Sequence, residues 1–230
     1  HPAMLMHTRP TTVYIGGGGE GSTAREVLRH ASVERCVMVD IDADVVRFCR
    51  DHLTENAAAF ADPRLDLRID DARAVLEKSP DVKYDVIIMD LDDPLEGGPC
   101  YQLYTAESYT MVKARLNPGG IIVTQSSGAG VKSHKLVWSP VHATLRSVFG
   151  AVRAYKQAVY SFFDEWGWNV AAADEAHLPR LAPDEVDARI AARISGELRF
   201  LDGESYQGLF CLSKQHRATL AAETKVLSSE

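Results

Sequence analysis

The chain has 230 residues, of which 46% are hydrophobic, 25% charged and 8% aromatic. This composition indicates a globular protein and excludes the disordered and collagen-like classes. The longest apolar runs are strand-sized and far short of the roughly 20 residues of a membrane-spanning helix, which excludes a transmembrane protein. The formal net charge of -7 disfavours a nucleic acid partner and favours a cationic small molecule.

Cysteine usage indicates a reducing environment. The four cysteines are scattered without C-x-x-C spacing, and no signal-peptide pattern opens the chain. We therefore expect a cytoplasmic protein. The chain opens at His1 without an initiator methionine and reaches a strand pattern by residue 12, so we expect a fragment or a processed form.

Strand-like and helical segments alternate through the first 125 residues. Apolar, β-branched runs predict strands over 12–16, 35–40, 65–69, 84–90 and 120–125. Helical spacing of apolar residues predicts helices over 22–30, 42–53, 71–78 and 105–116. Ser22 and Thr105 are predicted N-caps for the first and last of these helices. This alternation predicts an α/β fold with a parallel sheet flanked by helices.

The second half of the chain predicts a closing hairpin and further helices. A helix is predicted over 131–149, with an interruption near Pro140. Two strand-like runs, 152–159 and 168–173, predict a final antiparallel hairpin, and 183–194 predicts an amphipathic helix. No repeat or linker divides the chain, so we predict one domain over residues 1–230.

A glycine-rich loop follows the first predicted strand directly. Residues 16–21 read Gly-Gly-Gly-Gly-Glu-Gly and satisfy G-x-G-x-x-G in a strand-loop-helix context. Glycines there permit positive φ and let the backbone approach a bound nucleotide. A nicotinamide dehydrogenase and an enzyme of adenosyl-sulfonium cosubstrates share this pattern, and a tight turn needed only for packing is the alternative.

Carboxylates follow the next two strands. Asp40 ends the second strand about 20 residues after the glycines, where it could accept hydrogen bonds from ribose hydroxyls. The alternative is that Asp40, Asp42 and Asp44 are helix N-terminal acids stabilised by the helix dipole, which fits Asp42 and Asp44 better. Asp71 follows the third strand and could accept the exocyclic amine of adenine, or could cap the next helix.

Glu20 narrows the choice of ligand. A carboxylate in the glycine loop would repel a pyrophosphate, and it would also oppose the carboxylate of S-adenosylmethionine. A ligand with an adenosyl group, a sulfonium and an amine, but no carboxylate, would suit Glu20 together with Asp40 and Asp71. Decarboxylated S-adenosylmethionine is such a ligand.

Three more carboxylates follow the fourth strand, at Asp90, Asp92 and Asp93. They could form a magnesium site, a solvated acidic loop, which fits Asp92, or a cradle for an ammonium group. We expect no metal, because no histidine or further spaced ligand accompanies them. In the third case Asp90 orients an amine of pKa roughly 10 and accepts its proton, while Asp93 binds the rest of a polycation.

These motifs together resemble the polyamine aminopropyltransferases, the spermidine and spermine synthases. The resemblance rests on 17–21, Asp40-Ile41-Asp42, Asp71-Ala72 and Asp90-x-x-Asp93-Pro94, in this order and spacing, and covers nearly the whole chain. Glu20, the loop over 96–105 and the Trp-Gly-Trp at 166–168 are most similar to the thermospermine-forming members.

The resemblance implies a fold and an activity. The fold would be Rossmann-like, of the class I methyltransferase type: a doubly wound, mostly parallel sheet with an antiparallel C-terminal hairpin. The family's N-terminal β domain would be absent, with 1–11 a remnant of the linker. The activity would be aminopropyl transfer from decarboxylated S-adenosylmethionine to spermidine, giving thermospermine and methylthioadenosine, in a homodimer or higher homo-oligomer. Spermidine or spermine synthesis is the alternative, followed by an S-adenosylmethionine-dependent methyltransferase or a non-catalytic nucleoside- or polyamine-binding module.

It also implies roles for individual residues. Asp90 would be catalytic. The cosubstrate would be bound by Gly17, Gly18, Glu20, Asp40, Ile41, Asp71, Ala72 and Pro99. The acceptor polyamine would be bound by Asp93, Glu20, Phe162 and Trp166. The chain has Phe162-Phe163 where spermidine synthases place a tyrosine, which would suit a longer, partly apolar polyamine; the alternative is that Phe162, Trp166 and Trp168 are plain core aromatics.

Overall fold

A seven-stranded sheet forms the centre of the molecule, in a computed structural model that describes residues 1–94, 98 and 100–229. The strands, in chain order, are β1 (Thr12–Gly17), β2 (Arg35–Asp40), β3 (Leu65–Ile69), β4 (Tyr84–Asp90), β5 (Leu116–Gly128), β6 (Ala151–Val159) and β7 (Asp164–Ala172). Their spatial order is β3-β2-β1-β4-β5-β7-β6.

Helices cover both faces of the sheet. They are α1 (Pro2–Met6), α2 (Ser22–Leu28), α3 (Ala43–His52), α4 (Ala57–Phe60), α5 (Ala72–Lys78), α6 (Ala106–Ala114), α7 (Trp138–Val148), α8 (Pro183–Arg193), α9 (Gly203–Phe210) and α10 (Lys214–Ala222). Single 3₁₀ turns occur at Thr54–Asn56, Tyr101–Leu103, Tyr160–Phe162 and Glu175–His177.

The direction of the strands confirms the predicted fold class. β1 to β5 pair in parallel, whereas β7 pairs antiparallel with both β5 and β6. The chain order reverses between β1 and β4, which lie side by side, with Gly17 opposite Asp90. Such a switch point opens a crevice at the carboxyl ends of the strands, where ligands bind in doubly wound sheets.

Alternating side chains of each strand feed two separate cores. On β1, Val13 and Ile15 pack into the core beneath α1, α2, α8 and α9, while Tyr14 faces the core beneath α5, α6 and α7. β2 alternates in the same way. Near-continuous apolar strands are expected of a parallel sheet that is covered on both faces. Because these strands are buried on both faces, the loops that follow them at the carboxyl edge start from fixed positions.

The N-terminal residues, for which the resemblance predicts a linker remnant, pack against the first core. Within 1–11, the helix α1 is buried on the first core through Ala3, Met4, Leu5 and Met6. The carbonyl of Leu5 accepts a hydrogen bond from Arg189, and that of His7 accepts one from Arg193. Apolar burial and capped carbonyls therefore make this segment part of the packed domain.

Three differences from the predictions concern helices. The predicted helix over 131–149 begins only at Trp138, and Pro140 sits in its first turn, where a missing N–H is tolerated. α9 and α10 were not predicted. The first helix after the glycine loop has Gly21, not Ser22, at its N-cap, whereas Thr105 caps α6 as predicted through the N–H of Ser108.

Across the part of the chain that the structure describes, no helix is long and apolar enough to cross a membrane.

Candidate active site at the carboxyl edge of the sheet

A cavity of about 1090 Å³ opens at the carboxyl ends of β1, β2 and β4. Every predicted site residue that the structure describes lines it: Gly17, Gly18, Glu20, Asp40, Ile41, Asp71, Ala72, Asp90, Asp93, Phe162 and Trp166. Pro99 lies outside the described residues. The sheet thus brings together residues spread over some 150 positions of sequence, while the roles assigned to them stay predictions.

The glycine loop is shaped by close approach to its neighbours. Gly17 has a φ of 83°, and a Cβ there would lie 2.0 Å from the backbone oxygen of Asp90. A Cβ on Gly19 would lie 2.6 Å from Oδ2 of Asp40. At Gly17 no other residue fits without moving the chain, because the loop passes directly over the backbone of β4. At Gly19 an added Cβ would displace the side chain of Asp40.

Asp40 is held in place by two backbone donors. Its Oδ2 accepts from the N–H of Gly19 across 2.9 Å, and its Oδ1 accepts from the N–H of Asp42 across 2.8 Å. The helix-cap alternative applies to Asp42, whose carboxylate accepts from the N–H groups of Asp44 and Val45. Asp40 lines the cavity, as Asp42 also does, and its role as a ribose ligand stays a prediction.

Asp71 caps the next helix and also lines the cavity, while its contact with adenine stays a prediction. It is the N-cap of α5, where Oδ1 accepts from the N–H of Ala74 across 2.8 Å. It is also exposed and lines the cavity beside Ala72. Capping and ligand contact are compatible, because the cap uses one carboxylate oxygen.

Glu20 sits half-buried at the turn into α2. Burial raises the pKa of its carboxyl, and the nearby Asp90 and Asp40 raise it further against opposing backbone hydrogen bonds. The backbone oxygen of Glu20 accepts a 2.7 Å hydrogen bond from the side chain of Asn56. Asn56, fully buried, fixes the loop from behind, and nothing in its sequence context indicated this.

Asp90 ends β4 in the middle of the cavity wall. Burial raises the pKa of its carboxyl, and the charges of Asp40 and Asp92 add to that effect. The hydroxyl of Thr23 opposes it by donating a 2.6 Å hydrogen bond to Oδ2. Thr23 was not predicted as a site residue. Asp92 is exposed, consistent with the solvated alternative.

Asp93 is held by residues at the end of β5. Its Oδ2 accepts from the hydroxyl of Ser127 across 2.8 Å, and its Oδ1 lies 3.3 Å from the side-chain amide of Gln125. Gln125 was the last residue of a predicted strand, and a polar side chain at a strand's carboxyl end is the signal that could have identified it.

Phe162 and Trp166, the two aromatic residues predicted to bind the acceptor, form one wall of the cavity. Phe162 and Trp166 have ring centroids 4.3 Å apart, and both line the cavity. Phe163 is 98% exposed and does not line it. Phe162, at 54% exposure, is therefore a cavity residue and not a core aromatic.

A second, smaller cavity of about 370 Å³ adjoins the first. It lies against α1 and α9, and its walls are mostly apolar. Four of the described residues line both cavities: Ser22, Asp90, Gln125 and Trp168. Asp90 consequently faces two spaces, one bounded by the glycine loop and one bounded by the first core.

The chemistry of the larger cavity favours a cation. Seven of the residues that the structure describes bring carboxylates to its walls: Glu20, Asp40, Asp42, Asp71, Asp90, Asp92 and Asp93. Burial makes the charged forms of Glu20 and Asp90 costly. A positively charged ligand restores the balance by pairing with them. Among the described residues, no group of three or more His, Cys, Asp or Glu side chains is arranged to hold a metal ion.

Sequence comparison gives a consistent result. A family model described as "Spermine/spermidine synthase domain" matches residues 1–181. The chain is 48% identical to thermospermine synthase ACAULIS5 of Arabidopsis thaliana over 231 aligned positions, covering 100% of this chain and 67% of that protein. It is 45% identical to polyamine aminopropyltransferase 2 of Hyperthermus butylicus, covering 96% of this chain and 72% of the relative.

Solved structures show the same fold. A spermidine synthase in complex with the transition-state analogue AdoDATO superposes with a TM-score of 0.82 at 25% identity, covering 97% of this chain and 73% of that one. The spermidine synthase of Thermotoga maritima also superposes with a TM-score of 0.82, at 24% identity, over 97% of this chain and 72% of that one.

Proposed function

Because this chain belongs to the spermine/spermidine synthase family, we propose that it transfers the aminopropyl group of decarboxylated S-adenosylmethionine to spermidine, forming thermospermine and methylthioadenosine. The observation that carries the proposal is that Glu20 and Asp90 line the same cavity. The carboxylate of Glu20 favours a donor that has no carboxylate, and the carboxylate of Asp90 favours an acceptor that is an amine.

The donor lies along the glycine loop. Asp40 accepts hydrogen bonds from the ribose hydroxyls, and Asp71 with Ala72 contacts the adenine. The ammonium end of the aminopropyl group pairs with Glu20, whose raised pKa indicates a carboxylate that gains from a cation. The methionine carboxylate of S-adenosylmethionine would meet Glu20 as a like charge, which disfavours methyl transfer.

The reaction is a displacement at carbon. A terminal nitrogen of spermidine attacks the carbon beside the sulfonium, so that a C–N bond forms while the C–S bond breaks and its electron pair returns to sulfur. Before the attack, this nitrogen loses its ammonium proton to the carboxylate of Asp90, which later passes the proton to water. Asp90 also orients the amine, and Asp93 pairs with a second ammonium group of the acceptor.

The product depends on which end of spermidine attacks. Attack by the aminopropyl end gives thermospermine, and attack by the aminobutyl end gives spermine. Support for thermospermine comes from Glu20, the Phe162 and Trp166 wall, and the 48% identity to a protein named as a thermospermine synthase. An apolar wall suits the methylene chain of a long acceptor.

Product analysis tests the proposal. The protein is incubated with decarboxylated S-adenosylmethionine and either spermidine or putrescine, and polyamines are separated by chromatography that resolves thermospermine from spermine. We expect thermospermine from spermidine. Spermine alone, or a product only from putrescine, overturns the acceptor and product assignment. Calorimetry with S-adenosylmethionine is the second arm: tight binding of that carboxylated compound favours a methyltransferase.

The matched variant is Asp90→Asn, which keeps the shape and can still accept from Thr23. Loss of a positioned base costs on the order of 10² to 10⁴ in rate, so we expect turnover to fall by at least 100-fold. Methylthioadenosine binding is expected to stay intact. A wild-type rate in this variant removes Asp90 from the mechanism.

A further inference from the structure

Gln125 lies where the two cavities meet. It belongs to β5 and is paired with Trp168 of the antiparallel β7. Its side chain lines both cavities although the residue is only 8% exposed. A buried amide at such a junction must have its hydrogen-bonding groups satisfied by protein, and the partners identify what it holds in place.

The partners fix which way the amide points. Oε1 accepts from the N–H of Ser127 across 2.8 Å and from the indole N–H of Trp166 across 3.0 Å. Nε2 donates to the backbone oxygen of Leu91 across 2.5 Å and to the hydroxyl of Tyr104 across 2.9 Å. A rotated amide would face donors with its NH₂ group, so one orientation is allowed.

The same amide also reaches Asp93. Its Nε2 lies 3.3 Å from Oδ1 of that carboxylate, and Ser127, which is itself bonded to Gln125, donates to Oδ2. Gln125 therefore contacts one oxygen of Asp93 directly and steadies the donor to the other. It thus joins Asp93, in the loop after β4, to Trp166 on β7.

We infer that Gln125 is a positioning residue for acceptor binding, which sets Asp93 and the indole of Trp166 at a fixed separation. This inference rests on the proposed function, because it assigns Asp93 and Trp166 to the polyamine. A fixed number of methylene groups separates the charges of a polyamine, so the distance between a carboxylate and an apolar wall selects where its chain can lie.

Two substitutions disturb this arrangement in different ways. Gln125→Glu keeps the size but replaces the donor with an oxygen that faces Leu91 and Asp93, so it repels both. Gln125→Leu removes the acceptor of Trp166 and Ser127 and leaves their N–H groups unpaired in a buried place. If the second variant does not fold, the first still tests the inference, since it preserves volume and two of the hydrogen bonds.

Steady-state kinetics with spermidine give the first readout. We expect both variants to raise the KM for spermidine about tenfold with kcat changed less than threefold, and the Kd of methylthioadenosine to stay within twofold of wild type. The matched control is Gln215→Leu, on the exposed face of α10 and outside both cavities, which should change none of these. An unchanged KM in active Gln125→Glu overturns the inference.

A double-mutant cycle gives the second readout. Trp166→Phe removes the indole N–H but keeps a ring, and Gln125→Leu removes the acceptor of that N–H, so the effects of these two substitutions should be less than additive on both KM and melting temperature. Should wild type fail to use spermidine, the proposed function fails; the melting-temperature cycle then decides on Gln125 by itself, and additive changes there refute its positioning role.

Discussion

The hydroxyl of Thr23 donates a 2.6 Å hydrogen bond to Oδ2 of Asp90, which joins the first turn of α2 to the end of β4. Burial raises the pKa of the Asp90 carboxyl, and this hydrogen bond works against that rise by favouring the charged form. Asp40 and Asp92 face the same carboxylate and push its pKa upward, and Glu20 is close enough that Asp90 raises its pKa in turn. Thr23 is therefore a neutral group in this acidic surrounding that favours the ionised form of Asp90.

Removing that hydroxyl should shift the pH dependence of the reaction. Thr23→Val should raise the pKa of Asp90 further. Because the carboxylate is the active form, the acidic limb of the pH profile should move to higher pH than in the wild type. A hydrogen bond to a charged group is worth roughly 1.5 to 3 kcal/mol, so activity on the acidic limb should fall by roughly tenfold or more, while the plateau at higher pH should change little. The measurement is kcat/KM against pH.

Thr23→Ser is the matched control, since it restores the donor. Its acidic limb should coincide with that of the wild type. Identical pH profiles for the valine and serine variants would show that Thr23 does not act on Asp90.

Neutralising Glu20 should stabilise the fold while impairing catalysis. Its pKa in the folded protein is raised above the ordinary value of 4.5. The charged form therefore destabilises the fold at any pH above the raised pKa, and this cost disappears as pH falls toward 4.5. Glu20→Gln should raise the melting temperature at pH 7.5 by on the order of 2 °C and should not do so at pH 4. Thermal unfolding at both pH values checks this.

Glu107→Gln provides the opposite sign as a control. Hydrogen bonds within the first turn of α6 and to Ser229 lower the pKa of that exposed carboxyl. Its substitution should not raise the melting temperature at pH 7.5. A fall in stability for Glu20→Gln at pH 7.5 would contradict the electrostatic account of the cavity.

Asp85 should behave as a structural carboxylate at the opposite edge of the sheet. Its Oδ2 accepts from the backbone N–H and hydroxyl groups of Thr11 and Thr12, and Oδ1 accepts from Asn117. Burial alone would raise its pKa, but these bonds prevail and lower it from 3.8 to about 2. Its stabilisation is thus present above pH 3.8 and is lost as pH falls through about 2.

Asp85→Asn should therefore destabilise the protein by about 2 kcal/mol at pH 7, because the replaced oxygen meets several donors. Urea unfolding measured at pH 7 and at decreasing pH should show the gap to wild type closing in acid. A gap that is independent of pH would mean that packing, and not the charge of Asp85, holds the three strands together.

Gly19→Ala should weaken nucleoside binding. The added Cβ would lie 2.6 Å from Oδ2 of Asp40 and 2.9 Å from Val46, so Asp40 must shift from its position and lose the N–H of Gly19. Displacing one ligand carboxylate should raise the Kd of methylthioadenosine by roughly tenfold. Isothermal titration calorimetry gives this value directly.

Gly208→Ala is the matched control for that change. Gly208 is a helical glycine in α9 with nothing within 4 Å of an added Cβ, so alanine should leave the Kd unaltered and raise stability by up to about 1 kcal/mol. Equal affinity in the two variants would detach the glycine loop from nucleoside binding.

The sequence by itself was enough to predict several strands of the sheet and the place of the main carboxylates. Strands β2, β3 and β4 begin and end at the predicted residues, because buried parallel strands are short apolar runs bounded by polar ones. Glu20, Asp40 and Asp90 could be placed at one edge, because the carboxyl ends of parallel strands meet there.

Tertiary structure alone decided what surrounds those carboxylates. Thr23, Asn56 and Gln125 act through side-chain hydrogen bonds to residues 67, 36 and 41 positions away, namely Asp90, Glu20 and Trp166. Such pairings leave no local periodicity, because they depend on which loops the sheet brings together. For the same reason α1 was not predicted: five residues do not form a stable helix by themselves, and this one is held by burial and by Arg189.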